Sequence, residues 1–316
     1  MASADTSPSS NAVITPGESA LIPPVSMARR LVVAAGCFAV AFVIGYFLFI
    51  ANAWGHELDN EAYLGRESEG RFIATTGGHI LSRVTAGALA LGLIALVVIG
   101  AALRAFVAAV IAVIGVGVAV AGAQVLKATL PWSPLAATDA DLPAGLFRET
   151  YPSGHTTIGS TLAMAVVMII PASARWWAAP IAGFGAALFA AGVVIAGWHR
   201  PSDAIGGIFW SAVVMCLAAA IAVRLRGREP FPMGIPDSAT RIRHRQLSLR
   251  LCIATAVSIY AIVIVVALVV RAGLPDADLA FALLIGIILM GVFAVQGWFA
   301  NTLSQVSFQT PDTPST

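Results

Sequence analysis

Apolar residues fall in long blocks along this chain, and the charged positions are gathered between them. The blocks are Leu31–Ala53, Val84–Leu103, Ala105–Leu126, Thr156–Ala174, Trp176–Trp198, Ala204–Val223, Leu251–Val270 and Leu279–Ala300. Each is close to the roughly 20 residues a helix needs to cross a hydrocarbon core. The pattern predicts an all-α fold, a polytopic membrane helix bundle with eight spans. Residues 226–250 are polar and divide a six-helix block, 30–225, from a two-helix C-terminal appendage, 251–300. Residues 1–29 are rich in Ser, Pro, Ala and Thr and read as a disordered tail. Residues 301–316 form a C-terminal tail. Ala51-Asn52-Ala53 mimics a signal-peptidase site. A secretory apolar core usually runs only about 7–15 residues, so the first block is expected to stay as an uncleaved span.

Composition supports the membrane reading. Of 316 residues, 59% are hydrophobic and 11% charged, against about 25% charged in a soluble domain. The net charge of +2 says little, but its distribution sets an orientation. Residues 224–250 carry Arg224, Arg226, Arg228, Arg241, Arg243, Arg245 and Arg250 against Glu229 and Asp237. The positive-inside rule places that loop in the cytoplasm. Counting spans back puts Arg29, Arg30, Arg104 and Arg175 inside with both termini. The acidic loop with Glu57, Asp59, Glu61, Glu67 and Glu69 then lies outside, read as a solvated loop. The expected location is the inner or plasma membrane. The arginine-rich loop serves topology, with binding of anionic head groups as the alternative. No basic patch is interleaved with surface aromatics, so no nucleic-acid partner is expected. Cys37, Cys216 and Cys252 each fall inside an apolar block without a C-x-x-C, which argues against a disulfide framework or zinc site; they read as small buried apolar residues.

Three polar segments interrupt this pattern, and the topology places all three on the extracytoplasmic side. Pro152-Ser153-Gly154-His155 precedes the fourth block. Ser153 is a good helix N-cap. A helix start offers free N–H groups to an anion, Gly154 lets the backbone approach it closely, and His155 in the first turn can reach a leaving oxygen. The plainer alternative is a capped helix with an interfacial histidine. His199 and Asp203 are four apart, on one face if that segment is helical. A carboxylate there would fix the imidazole tautomer. Pro201 suits the first turn of the next span. Arg200 offers a planar fork for phosphate oxygens, or it snorkels to head groups. Lys127 ends the third span, where a lysine either snorkels or neutralises a phosphate.

Together these segments resemble the type-2 phosphatidic acid phosphatase family, whose three motifs are Lys-x(5–6)-Arg-Pro, Pro-Ser-Gly-His and Ser-Arg-x5-His-x3-Asp. The second is complete at Pro152–His155, and the third is present as His199-x3-Asp203. The first survives as Lys127 followed by Pro131-Trp132-Ser133-Pro134. The resemblance covers roughly residues 80–225. Its departures are two arginines. Trp132 and Ser133 occupy the region of one, and Val193 stands where the other would precede His199 by six. Arg200 and Arg148 are the candidates to replace them.

The resemblance implies a phosphatase-like six-helix core and a metal-independent lipid phosphatase. His199 would attack phosphorus to form a phosphohistidine, Asp203 would orient it, and His155 would protonate the leaving oxygen. Lys127, Arg200, Arg148 and the backbone of Ser153 and Gly154 would hold the phosphoryl oxygens. No cofactor or metal is implied, and His56, Glu57, Asp59 and Glu61 read as a solvated cluster rather than a cation site. Expected partners are a lipid phosphate or diphosphate (polyprenyl diphosphate, phosphatidic acid or phosphatidylglycerol phosphate) and membrane lipids. Two other functions fit the same residues: a lipid phosphotransferase, and a catalytically impaired lipid-binding or partner-binding protein on this scaffold.

Overall fold

The structure is a computed structural model that describes residues 24–65, 86–131, 150–226 and 276–310, with scattered positions between 239 and 257. Its helices are α1 (Pro24–Phe49), α2 (Ala53–Gly65), α3 (Ala86–Ala102), α4 (Phe106–Thr129), α5 (Gly154–Ile169), α6 (Arg175–Ile195), α7 (Pro201–Leu225) and α8 (Asp276–Leu303). No strand occurs among the described residues. The expected all-α polytopic bundle is what is found. α1, α4, α6, α7 and α8 are each long and apolar enough to cross a membrane, and α3 and α5 are shorter apolar helices. The expected span Leu251–Val270 falls almost wholly outside the described residues, as do residues 1–23, 311–316 and most of 226–250. Residues 24–29, expected in the disordered tail, are instead the first turns of α1, and 301–303 of the expected C-terminal tail close α8.

The helix ends gather in two groups. Arg175 begins α6 and His199 follows its end, so about 30 Å of helix separates them at 1.5 Å per residue. Arg104 precedes α4 and Lys127 closes it; Arg224 and Arg226 close α7 and Asp203 opens it. The arginines Arg104, Arg175 and Arg226 therefore lie at one end and the polar motif residues at the other. Large apolar side chains such as Val33, Ile44, Ile114, Val118, Ile181 and Leu188 stay exposed on the flanks, as a bilayer-facing belt requires.

The interior is built mainly from alanine, so helices approach closely. α5 is the central element, packed by α4, α6, α7 and α8, with most of its residues buried. α7 meets it through a glycine pair. A Cβ on Gly207 would come within 2.9 Å of the Ser153 carbonyl oxygen and the Thr156 Cβ, and one on Gly206 within 2.3 Å of the Tyr151 ring. These small residues let the start of α7 touch the start of α5. α1 lies along α7, while α8 packs against α6 and α2.

Arg175 is the main polar tie at the arginine-rich end. It is 1% exposed. Its guanidinium donates to the carbonyls of Val167 at 2.8 Å, Met168 at 3.1 Å, Leu303 at 2.5 Å and Val306 at 2.6 Å. Several of the carbonyls left over at the end of α5 and near the end of α8 are thereby satisfied, with Gln309 Nε2 taking that of Ile169 at 2.9 Å. Arg175→Met would strand several of them, each costing about 1–3 kcal/mol. The thermal unfolding midpoint in detergent is expected to fall clearly, and Arg175→Lys should recover only part of the loss because a point donor cannot span four acceptors. A midpoint unchanged in Arg175→Met would contradict this role.

Candidate active site

The start of α5 forms as the sequence predicts. Ser153 is its N-cap, and its Oγ accepts from Thr156 N at 3.3 Å. Ser153 N donates to the Asp203 carbonyl at 2.8 Å, so the orphan donors of this helix start are the N–H groups of Gly154 and His155. Tyr151, fully buried, donates its hydroxyl to the Phe42 carbonyl at 2.8 Å. Burial, and next the charge of Asp203, push its phenol well above the usual tyrosine range. It therefore serves as a neutral hydroxyl tying the loop to α1.

His199 is presented by the end of α6. Gly197 has φ 71°, the left-handed region that glycine adopts without cost. Gly197 N donates to Val194 O at 2.9 Å and Trp198 N to Val193 O at 3.0 Å, the paired bonds of a Schellman end. The chain reverses there, Trp198 and His199 follow, and α7 begins at Pro201 in its first turn.

The expected contact between His199 and Asp203 is present, but through a different geometry. They do not share a helical face. His199 lies in the turn and Asp203 is the third residue of α7. Its carboxylate folds back over the helix start, with Oδ2 3.0 Å from His199 Nδ1 and accepting from Arg200 N at 3.1 Å. Thr150 Oγ1 donates to the same oxygen. A carboxylate at this position caps the orphan donor of its own helix. It also holds an imidazole.

Lys127 reaches the same place from α4. A Cβ on Gly154 would lie 3.6 Å from Lys127 Nζ and 3.2 Å from Gln124 Nε2. Glycine is what lets two donors converge on the helix start. Gln124 was not singled out from the sequence; its spacing, one turn before Lys127, is the signal that could have found it. The ring of His155 lies 5.3 Å from that of Trp198, the residue before His199. The structure thus brings together Lys127, Ser153, Gly154, His155, His199, Arg200 and Asp203. Arg148 lies outside the described residues, as do Trp132, Ser133 and Pro134.

The acidic segment after α1 departs from expectation. Its described part is the helix α2, of which one side turns inward; Glu67 and Glu69 lie outside the described residues. Asp59 is 0% exposed, and Ser202 donates to it twice, from N at 2.9 Å and from Oγ at 2.5 Å. Asn60 Oδ1 accepts from Arg200 Nε at 2.7 Å, and Arg200 is fully buried. Glu57 and Glu61 stay exposed, so the helix spreads the acidic residues over two faces. Residue counting by loop could not separate them. The missing signal was the short helical stripe Asp59, Asn60, Ala62 and Tyr63.

A multi-pass helical membrane bundle with its polar motif residues gathered at one end is the class that the fold defines. The PAP2 superfamily matches residues 101–227, from the end of α3 to just past α7. The resemblance to type-2 phosphatidic acid phosphatases expected from the motifs thereby holds over that stretch, and it supports a phosphatase-type activity on phosphate esters. Comparisons with curated proteins and with solved structures found no match.

Asp59 carries a pH signature. Burial is the main cause of a rise from 3.8 to about 7; the Ser202 bonds oppose it, and Asp203 adds to it. A carboxyl with a raised native value binds its proton more tightly when folded, so stability falls as pH rises from about 4 to about 7. Unfolding midpoints in detergent across this range should drop in wild type and drop less in Asp59→Asn. Parallel curves would contradict the assignment.

Proposed function

We propose that this protein is an integral-membrane lipid phosphatase that hydrolyses a lipid phosphate or diphosphate on the extracytoplasmic face through a phosphohistidine. The observation that carries the reading is the bond between Asp203 Oδ2 and His199 Nδ1. With Nδ1–H held by the carboxylate, the Nε2 lone pair is left for attack. Nε2 forms a bond to the terminal phosphorus as the P–O bond to the leaving group breaks, the ester bond of a monophosphate or the anhydride bond of a diphosphate, and His155 gives its proton to the departing oxygen. A water then attacks phosphorus, returns a proton to His155, and the P–N bond breaks. Asp203 balances the charge on His199 in both steps. No residue of this scheme requires a metal.

The phosphoryl oxygens would lie against Lys127, the N–H groups at Gly154 and His155, and the Gln124 amide. Ser153 fixes this helix start, and Arg200 adds positive charge beside the nucleophile. Arg148 is the proposed second guanidinium. The separation of the arginine-rich end from this site supports the outward orientation. An outward site favours a lipid processed after export, and a polyprenyl carrier is the preferred class.

Phosphate release from a panel of lipid phosphates in detergent, with EDTA present, tests the reading. Wild type should turn over at least one substrate, and His199→Ala should fall to background. Equal release from both proteins would reject the phosphatase assignment and favour a lipid-binding role. Gly154→Ala should fold, because the atoms it meets are the ends of flexible side chains. Its turnover should fall about tenfold or more, the order expected for a displaced charge-assisted contact. Unimpaired turnover there would remove the anion cradle from the account.

A further inference from the structure

α2 lies outside the stretch matched to the family, yet it makes polar contacts at three points of the turn that carries His199. Asp59, Asn60 and Tyr63 project from one face of the helix. Each grips a different point of residues 197–202. Tyr63 donates its hydroxyl to the Gly197 carbonyl at 2.9 Å. Asn60 accepts from the Arg200 guanidinium at 2.7 Å, and Asp59 accepts from both Ser202 N and Ser202 Oγ. The residues gripped flank His199 on both sides.

We propose that α2 is a positioning clamp. Through Asp59, Asn60 and Tyr63 it fixes the turn at 197–202, and thereby the orientation of the His199 imidazole for attack on phosphorus. The clamp rests on the proposed function, since it is the geometry of His199 as nucleophile that it serves. A glycine in the left-handed region can be left by rotation of its peptide, and the Tyr63 hydroxyl holds that peptide by its carbonyl. Asp203 fixes one imidazole nitrogen, but Asp203 and His199 are joined through the same turn. Thr150 and Ser153 hold Asp203 from the α5 side, and α2 holds the stretch from Gly197 to Ser202 that carries His199.

The chemistry of the helix fits this role better than that of a cover. Burying a carboxyl and an amide is costly without partners, and an apolar face would close the bundle at no such cost. Asp59 and Tyr63 are 0% and 1% exposed, and each makes a bond to this turn. The other side of the clamp is braced by α8. Ala62 and Leu58 pack with Ala280 and Leu284, which gives the last helix a part in the site without supplying a residue to it.

Asp59→Leu removes both acceptors at nearly constant size, Asp59→Asn keeps an acceptor for Ser202 N, and Tyr63→Phe removes one oxygen. For a lipid phosphate turned over by wild type but not by His199→Ala, kcat should fall about 10- to 100-fold in Asp59→Leu, the scale set by misplacing a reacting group by about 1 Å. KM should stay within about threefold, and Asp59→Asn should recover most of the loss. Tyr63→Phe should lose kcat in the same sense, and it carries the test if Asp59→Leu does not fold. Hydrogen–deuterium exchange of peptides covering 197–203 should quicken in Tyr63→Phe and Asp59→Leu but not in Asp59→Asn. Wild-type kcat and exchange in Tyr63→Phe and Asp59→Leu would overturn the clamp. So would a loss expressed only in KM, or an Asp59→Asn variant as impaired as Asp59→Leu. If wild type itself releases no phosphate, the proposed function fails, and unchanged exchange in Tyr63→Phe would reject the clamp separately.

Discussion

One carboxylate holds the site end of this bundle together. Asp203 Oδ2 caps the first turn of α7 through Arg200 N, receives the Thr150 hydroxyl, and lies 3.0 Å from His199 Nδ1. The carbonyl of the same residue accepts from Ser153 N. Two segments separated by more than 40 residues are thus joined at a single amino acid. The buried carboxylate would be costly without these donors. With them it becomes the point from which the positions of both histidines follow.

The rest of the fold brings α5 and α7 close enough for that contact. Gly206 and Gly207 let α7 lie against Tyr151 and the start of α5. Arg175 fastens the far ends of α5, α6 and α8 by bonds to four carbonyls. Among the described residues a polar knot thus stands at each end, with a largely alanine interior between them. α2 adds a third layer at the site end. It converts a stretch rich in acidic residues into a surface that faces Arg200 and Ser202.

The sequence carried the helical architecture and the identity of the central residues for simple reasons. Long apolar blocks have one solution in a bilayer, and a polar tetrapeptide at a block edge is conspicuous. Ser153 as a cap and Pro201 in a first turn follow from local rules that need no tertiary information. The pairing of His199 with Asp203 was expected for the wrong local reason. A four-residue spacing suggested a shared face, whereas the bond comes from a carboxylate folding back over a helix start after the Gly197 reversal. Asp59 and Asn60 were hidden because burial of a polar residue depends on what packs over it. Nothing in residues 53–65 alone tells that Ser202 and Arg200 lie opposite. Gln124 was hidden similarly, since its importance comes from the missing Cβ of a residue 30 positions away.

Trapping the covalent intermediate tests the account most directly. A lipid phosphate labelled in its phosphoryl group, mixed with the protein in detergent and quenched in alkali, should leave label on the peptide containing residue 199. That label should be acid-labile and alkali-stable, as a phosphorus–nitrogen bond is, and should be absent from His199→Ala. Label that persists in His199→Ala, or phosphate release from wild type that passes through no labelled protein, would contradict the role assigned to His199 and to the carboxylate that holds it.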